Sequence, residues 1–349
     1  MTDFSQMTLP SAASFRINYQ GTLINPINSS NMPPAILQAG WSGSFTYSFN
    51  QVNSPHSLNL DFSTTSSTGF SGRDNLGLNS VTVNIPITYQ SINIFNNPQL
   101  TTFNLTGLGS QTSFTFYQVY NNNISGAFNY TLPNSTTSIN ISSNQHTSFT
   151  SNLGSTSLTS ISIANNLITT FTPTALPASL VTLSIDRNRI TSTLPTLPNS
   201  VQTFTCYQNS LTVTSIPNLP NGLITLNLGT ITDNVTYRNN FTTLFTSDYA
   251  GMTTINTITA QNCGLTIFSS RFGAGNSTSL QTLNLNNQAA GTTNANTFTS
   301  IDISKYVSLT TLNLSFNTNL TTISNLNSAT SLNSFQAENC GLTRSEEHT

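Results

Sequence analysis

"LPNSVQTFTCYQNSLTVTSIPNLPNGLITLNLG", residues 197–229, carries one phrase twice: Leu-Pro, a short polar spacer, then apolar residues at positions 1, 4 and 6 counted from Val201 and from Leu223. Between those apolar positions stand mostly Thr, Asn and Gln. The alternation at 4 and 6 has period two, so these side chains point to one side and 3, 5 and 7 to the other, as in a half-buried strand. A unit of about 22 residues cannot bury its own apolar side, so such units must stack, with strands about 4.8 Å apart in a parallel sheet.

The same register runs along most of the chain. First positions fall at Tyr89, Phe114, Thr136, Leu158, Leu180, Val201, Leu223, Ile255, Leu280, Leu309 and Leu332, in steps of 25, 22, 22, 22, 21, 22, 32, 25, 29 and 23 residues. At 36% apolar content one such triplet arises by chance about one time in twenty, whereas five consecutive steps of 21 or 22 mark a repeat. Asn recurs near position 9, at Asn97, Asn122, Asn144, Asn166, Asn188, Asn209 and Asn317, and can turn the chain while its amide bonds the neighbouring coil. Cys263 and Cys340, each in "NCGLT", occupy the same slot as small buried groups. Two departures stand out: Thr136 sits at an apolar position, and Ile231 stands where the Leu223 coil should carry Asn.

"LTSISIANN" (158–166), "LVTLSIDRN" (180–188), "VQTFTCYQN" (201–209), "LTTLNLSFN" (309–317) and "LNSFQAENC" (332–340) resemble the LxxLxLxxN/C phrase of leucine-rich repeats. The Leu-Pro spacers at 194–198 and 216–220 resemble the short bacterial class, and 298–317 and 320–335 resemble internalin-like and Bacteroides-type arrays. The resemblance implies a mainly β protein: a leucine-rich repeat solenoid of about eleven coils with one parallel sheet over residues 89–343.

Return segments such as "ITTFTPTALPAS" hold Pro and β-branched residues, which suits extended geometry rather than helix. In the longest coil, "NNFTTLFTSDYAGM" sets Phe241, Leu244, Phe245, Tyr249 and Met252 at helical spacing behind an Asn, which predicts one short helix. Residues 1–88 fit the register poorly but alternate like strands and read as an N-terminal β cap or degenerate coils. The final "RSEEHT", residues 344–349, is what the DNA AGATCGGAAGAGCACACG encodes, and this resembles the start of a sequencing adapter, implying a library scar after Thr343 in an environmental sequence.

Only 5% of the residues are charged, against roughly 25% in an ordinary soluble domain, and the formal net charge is −2. No basic stripe for nucleic acid can be drawn. Three cysteines make neither a disulfide framework nor a metal-ligand spacing, and no cofactor motif is present. His56 and His146 lie in unrelated contexts, and paired carboxylates, HExxH, GxSxG and phosphate loops are missing, which reads as a non-enzyme. Asp186 and Arg187 read as solvated neighbours. "MTDFSQMTLPSAAS" has no signal-peptide pattern, and no run reaches membrane-spanning length.

The side of the strands opposite the core holds hydroxyls and amides, Thr203, Thr205, Thr225 and Asn227 among them, with Phe95, Phe116, Tyr120, Tyr207 and Phe316 interspersed as rings that could stack on sugars or anchor a protein. A second candidate is the insertion around 232–250, which concentrates Tyr237 and Arg238 with Asp233 and Asp248. The resulting expectation is a recognition or adhesion module of an extracellular or virion surface. It would bind a neutral polar partner, glycan or protein, without nucleic acid and without membrane insertion. The alternatives are a structural fibre component and, from the Thr ladder, an ice-binding protein.

Overall fold

The computed structural model describes residues 15–18, 27–28, 32, 40–48, 55–153, 157–216, 218–230, 237–275, 277–288 and 294–342; the adapter-like residues 344–349 lie outside them. The chain divides into two compact units, Met1–Ile168 with Thr172–Ser179, and Thr169–Phe171 with Leu180–Thr349.

In the first unit the strands Phe15–Asn18, Ser44–Ser48, Gly69–Arg73, Ser91–Asn97, Phe116–Asn122, Ser138–Asn140 and Ser160–Ser162 pair in that order, all parallel. A second parallel sheet, Ile27–Asn28, His56–Asp61, Leu78–Asn84 and Thr102–Thr106, closes the same early coils on another side. The early core is aromatic: Phe45 stacks on Phe15 and on Phe70 at centroid distances of 5.9 and 5.7 Å, and Trp41 and Phe62 are buried beside them. Bulky rings on this side, with Gly69 and Gly72 in the strand, explain why the described strands between Phe15 and Asn84 pair like the later coils without matching their Leu pattern.

In the second unit Thr182–Ser184, Thr203–Thr205, Thr225–Asn227, Thr257–Thr259, Thr282–Asn284, Thr311–Asn313 and Ser334–Gln336 form an equally regular parallel ladder, each strand three residues long. Positions 4 and 6 face inward as the alternation requires: Ile161, Ile163, Leu183, Ile185, Leu226, Leu228, Leu312 and Leu314 are fully buried. Return segments contain turns and, as the only helices among the described residues, single 3-10 turns at Val213–Ser215, Ile303–Lys305 and Leu326–Ser328.

Each element of the repeated phrase has a bond to make. Leu-Pro forms a turn that the position-1 amide closes: Val201 N donates to Pro198 O at 3.1 Å and Leu223 N to Pro220 O at 3.3 Å. The Ser before position 1 donates to the position-1 carbonyl of the preceding coil, Ser200 Oγ to Leu180 O at 2.7 Å and Ser135 Oγ to Phe114 O at 2.8 Å. Thr136 keeps its apolar-position slot because its buried hydroxyl donates to Pro133 O at 2.7 Å.

The position-9 asparagines bind coil to coil. Asn209 Nδ2 donates to Ile185 O of the preceding coil at 3.0 Å and to Cys206 O of its own at 2.9 Å, while its Oδ1 accepts from Ile190 N at 3.0 Å. Asn166 repeats the pattern with Ile141 O, Ile163 O and His146 N. In the cysteine slots, Cys263 Sγ donates to Ala260 O at 3.2 Å and Cys340 Sγ to Leu314 O at 3.2 Å; Cys263 is buried as expected, whereas Cys340 is only half-buried. The residue before the slot turns left-handed: Asn96, Asn121, Ser143, Asn165, Arg187, Gln208, Asn262, Phe316 and Asn339 all have φ between 46° and 62°.

The expected helix does not form. Residues 241–252 form turns, not a helix. Leu244 N donates to Phe241 O and Met252 N to Tyr249 O, three residues back, but Asn240 N, Phe241 N and Tyr249 N donate to Leu211, Cys263 and Arg271 of neighbouring coils. Bonds between coils take groups that a helix would pair internally, the Tyr249 amide and the carbonyls of Thr242 and Phe245, which accept from Thr266 N and Ser269 N, and the helical spacing of apolar residues reflects packing of successive turns.

Two stability outcomes follow from these contacts. Asn209→Ala leaves two buried carbonyls and one buried N–H without their partner and lowers the unfolding free energy by about 3 kcal/mol in urea denaturation. Phe316→Asn replaces an aromatic residue in a left-handed conformation, which costs most side chains about 1–2 kcal/mol, by a residue that adopts it more readily through a local side-chain hydrogen bond, and raises the midpoint; a lower midpoint would mean that ring packing outweighs the backbone term.

Candidate functional site

The strand side opposite the core is the candidate surface, and in the second unit it is two in-register rows. Position 3 reads Thr182, Thr203, Thr225, Thr257, Thr282, Thr311 and Ser334; position 5 reads Ser184, Thr205, Asn227, Thr259, Asn284, Asn313 and Gln336, each residue in register with the next. Neither row contains a charge. The Oδ1 atoms of Asn227 and Asn284 are buried without a hydrogen bond among the described residues.

Beyond the strand ends lies an Arg–Tyr ledge that the sequence did not reveal as such. The Arg187 guanidinium lies over the Tyr207 ring at 5.1 Å and its Nη1 donates to Tyr207 Oη at 2.8 Å. Arg189 lies over Tyr237, also at 5.1 Å. Asp186 is only 4% exposed, which corrects the reading of it as solvated; Arg187 beside it is exposed. At position 7 the chain is leaving the strand for the left-handed residue, so simple alternation no longer fixes which way a side chain points. Burial raises the Asp186 carboxyl above its ordinary 3.8, and hydrogen bonds with Tyr207 and Ser184 and the Arg187 charge only partly oppose this.

The insertion does not offer Arg238 as an exposed charge. Arg238 is 8% exposed and donates from Nη2 to Gln288 Oε1 at 2.7 Å, while Asn294 Nδ2 donates to Arg238 O at 3.0 Å. The described ends of the loops that follow the strands Thr225–Asn227 and Thr282–Asn284 are therefore bonded to one another. Each then returns an asparagine to the buried ladder: Asn239 donates to Cys206 O and Leu228 O, and Asn296 to Ala260 O and Leu285 O. These are the ladder residues missing from the spaced set.

In the first unit Phe95 and Tyr120 are brought together, with ring centroids 5.2 Å apart and planes within 2°. Phe116 stands on the same strand, 48% exposed. Phe316 lies in the second unit at its left-handed turn. His56 and His146 are buried against Tyr47 and Phe128, so neither opens to this surface. No helix among the described residues is long and apolar enough to cross a membrane.

No protein-family model matches the chain, and no curated protein does. Among solved structures the chain is similar to YopM from Yersinia enterocolitica WA-314, with a TM-score of 0.43 and 16% identity over 93% of this chain and 78% of that one. It is also similar to a leucine-rich repeat protein of Leptospira interrogans, with a TM-score of 0.35 and 13% identity over 95% and 94%. With TM-scores this low, the likeness carries nothing about what the chain binds. Its own coils are decisive: a parallel strand in each, the inward 1-4-6 triplet and the asparagine ladder make it a leucine-rich repeat solenoid.

Asp186 gives a pH signature. A carboxyl whose native pKa is raised contributes stability that is present below the unfolded value of 3.8 and lost as pH rises through the native value. Asp186→Asn, which keeps an acceptor for Ser184 Oγ, should therefore have the higher melting temperature at neutral pH, with the difference closing toward about pH 3. A wild type that melts higher at pH 7 would contradict this.

Proposed function

We propose that the solenoid is a non-catalytic recognition module whose strand surface binds an uncharged, polar partner, glycan or protein, at an extracellular or virion surface. The observation that carries this reading is the pair of in-register rows from Thr182 to Gln336, fourteen hydroxyl and amide side chains without one charge. A core needs nothing from that side of the strands. Hydroxyls and amides at coil spacing offer donors and acceptors in a fixed array, and a partner must match them or leave them unsatisfied.

A neutral surface also fixes the response to salt. Counterion release and long-range steering contribute little, so binding to glycan arrays and to panels of surface proteins should change by less than about threefold between roughly 50 and 200 mM salt. Replacing Thr225 by Val together with Asn227 by Leu preserves strand propensity, removes one hydroxyl and one amide, and should weaken binding about tenfold. Steep salt dependence would instead indicate a charged partner.

A further inference from the structure

We infer that Tyr120 ends a column of rings so as to leave a stacking slot for one sugar ring of a neutral glycan. This rests on the strand-surface reading above and names the partner class and the place. Along position 7 of the first unit, Arg73, Phe95 and Tyr120 are in register, and Phe95 and Tyr120 stack face to face at 5.2 Å. Asn121 N donates to Ser142 O and Ser143 N to Ala164 O, so the next two members of the row are Ser142 and Ala164. The ring column thus stops at Tyr120. One face of its ring is covered by Phe95, and the next two positions along the row, at a coil spacing of about 4.8 Å, carry only small side chains, which suits a further flat group stacked on the column.

The surroundings select what that group is. Gln118 and Asn140 lie in register in the adjoining row, with Gln118 Nε2 donating to Ser138 Oγ at 3.1 Å and Ser142 Oγ to Asn140 Oδ1 at 2.6 Å. A pyranose has an apolar C–H face for the tyrosine and a rim of hydroxyls for these amides and hydroxyls. A proline or phenyl ring of a protein partner would cover the same area and leave the polar rim unmatched. With no charge on Gln118, Asn140 or Ser142, a neutral sugar is favoured over a uronate or sulfate.

The experiment is a calorimetric titration of the full chain with neutral glucan, mannan and N-acetylglucosamine oligomers, using whichever binds. Tyr120→Ala should weaken binding by roughly tenfold, and Tyr120→Phe, which keeps the ring, by less than about threefold. Ser142→Phe should weaken it as strongly as Tyr120→Ala, because it prolongs the ring column into the slot. One variant removes a ring and the other adds one, so a shared loss is not explained by generic destabilisation; circular dichroism checks that both fold. Sugar binding indifferent to both changes would overturn the Tyr120 site and leave the strand-surface reading intact. Retention of a protein partner but of no sugar would overturn the glycan class alone, and retention of neither would overturn both.

Discussion

The structure depends on how buried main-chain groups are satisfied where each coil leaves its strand. At that corner the position-6 carbonyls of two successive coils and an amide N–H of the earlier one point into a space sealed by Leu, Ile and Phe. Leaving any of them unpaired costs about 1–3 kcal/mol. A primary amide has two donors and an acceptor on one short stem, and Asn209 uses all three. Asp lacks the donors, and Ser has a single one. Cysteine at position 263 supplies one bond, and there Asn296 of the next coil completes the set, donating to Ala260 O and accepting from Cys263 N and Leu265 N.

That constraint also governs where the chain can grow. The steps of 32 and 29 residues depart from the period, yet both loops come back with an asparagine in the slot, Asn239 and Asn296, each nearly fully buried. Added chain leaves after the strand and re-enters before the corner is sealed. The two loops then share bonds through Arg238, Gln288 and Asn294, so the buried Arg238 serves cohesion. Gly229, where the first excursion begins, lies so close to the Gln261 carbonyl that a β-carbon would collide with it.

Legibility in the sequence follows from which constraints are local. The inward triplet was readable because it repeats at fixed spacing, and Leu183, Ile185, Leu312 and Leu314 lie where alternation puts them. Asn239 and Asn296 were not readable, since a spatial slot filled after an excursion of unknown length has no fixed sequence offset. The turns at 241–252 were misread because helical periodicity is also produced by apolar residues packing from successive turns, while the deciding hydrogen bonds go to residues more than twenty positions away. Among the site candidates, the Phe95–Tyr120 pair follows directly from a shared position 7. The burial of Asp186 and Arg238 required knowing how Tyr207 and Gln288 sit beside them.

A surface made of hydroxyls and amides gains affinity differently from a charged one. Every group exchanges a bond to water for a bond to the partner, so the net gain per contact is small, about 0.5–1.5 kcal/mol, while each mismatch costs the whole desolvation. Such a surface therefore discriminates more than it attracts, and it needs added apolar area to hold a partner at all. In the described rows of the first unit that area is concentrated where rings interrupt the hydroxyls, at Phe95, Tyr120 and the exposed Phe116. The polar rows set which partner fits, and the rings supply the attraction that the rows lack.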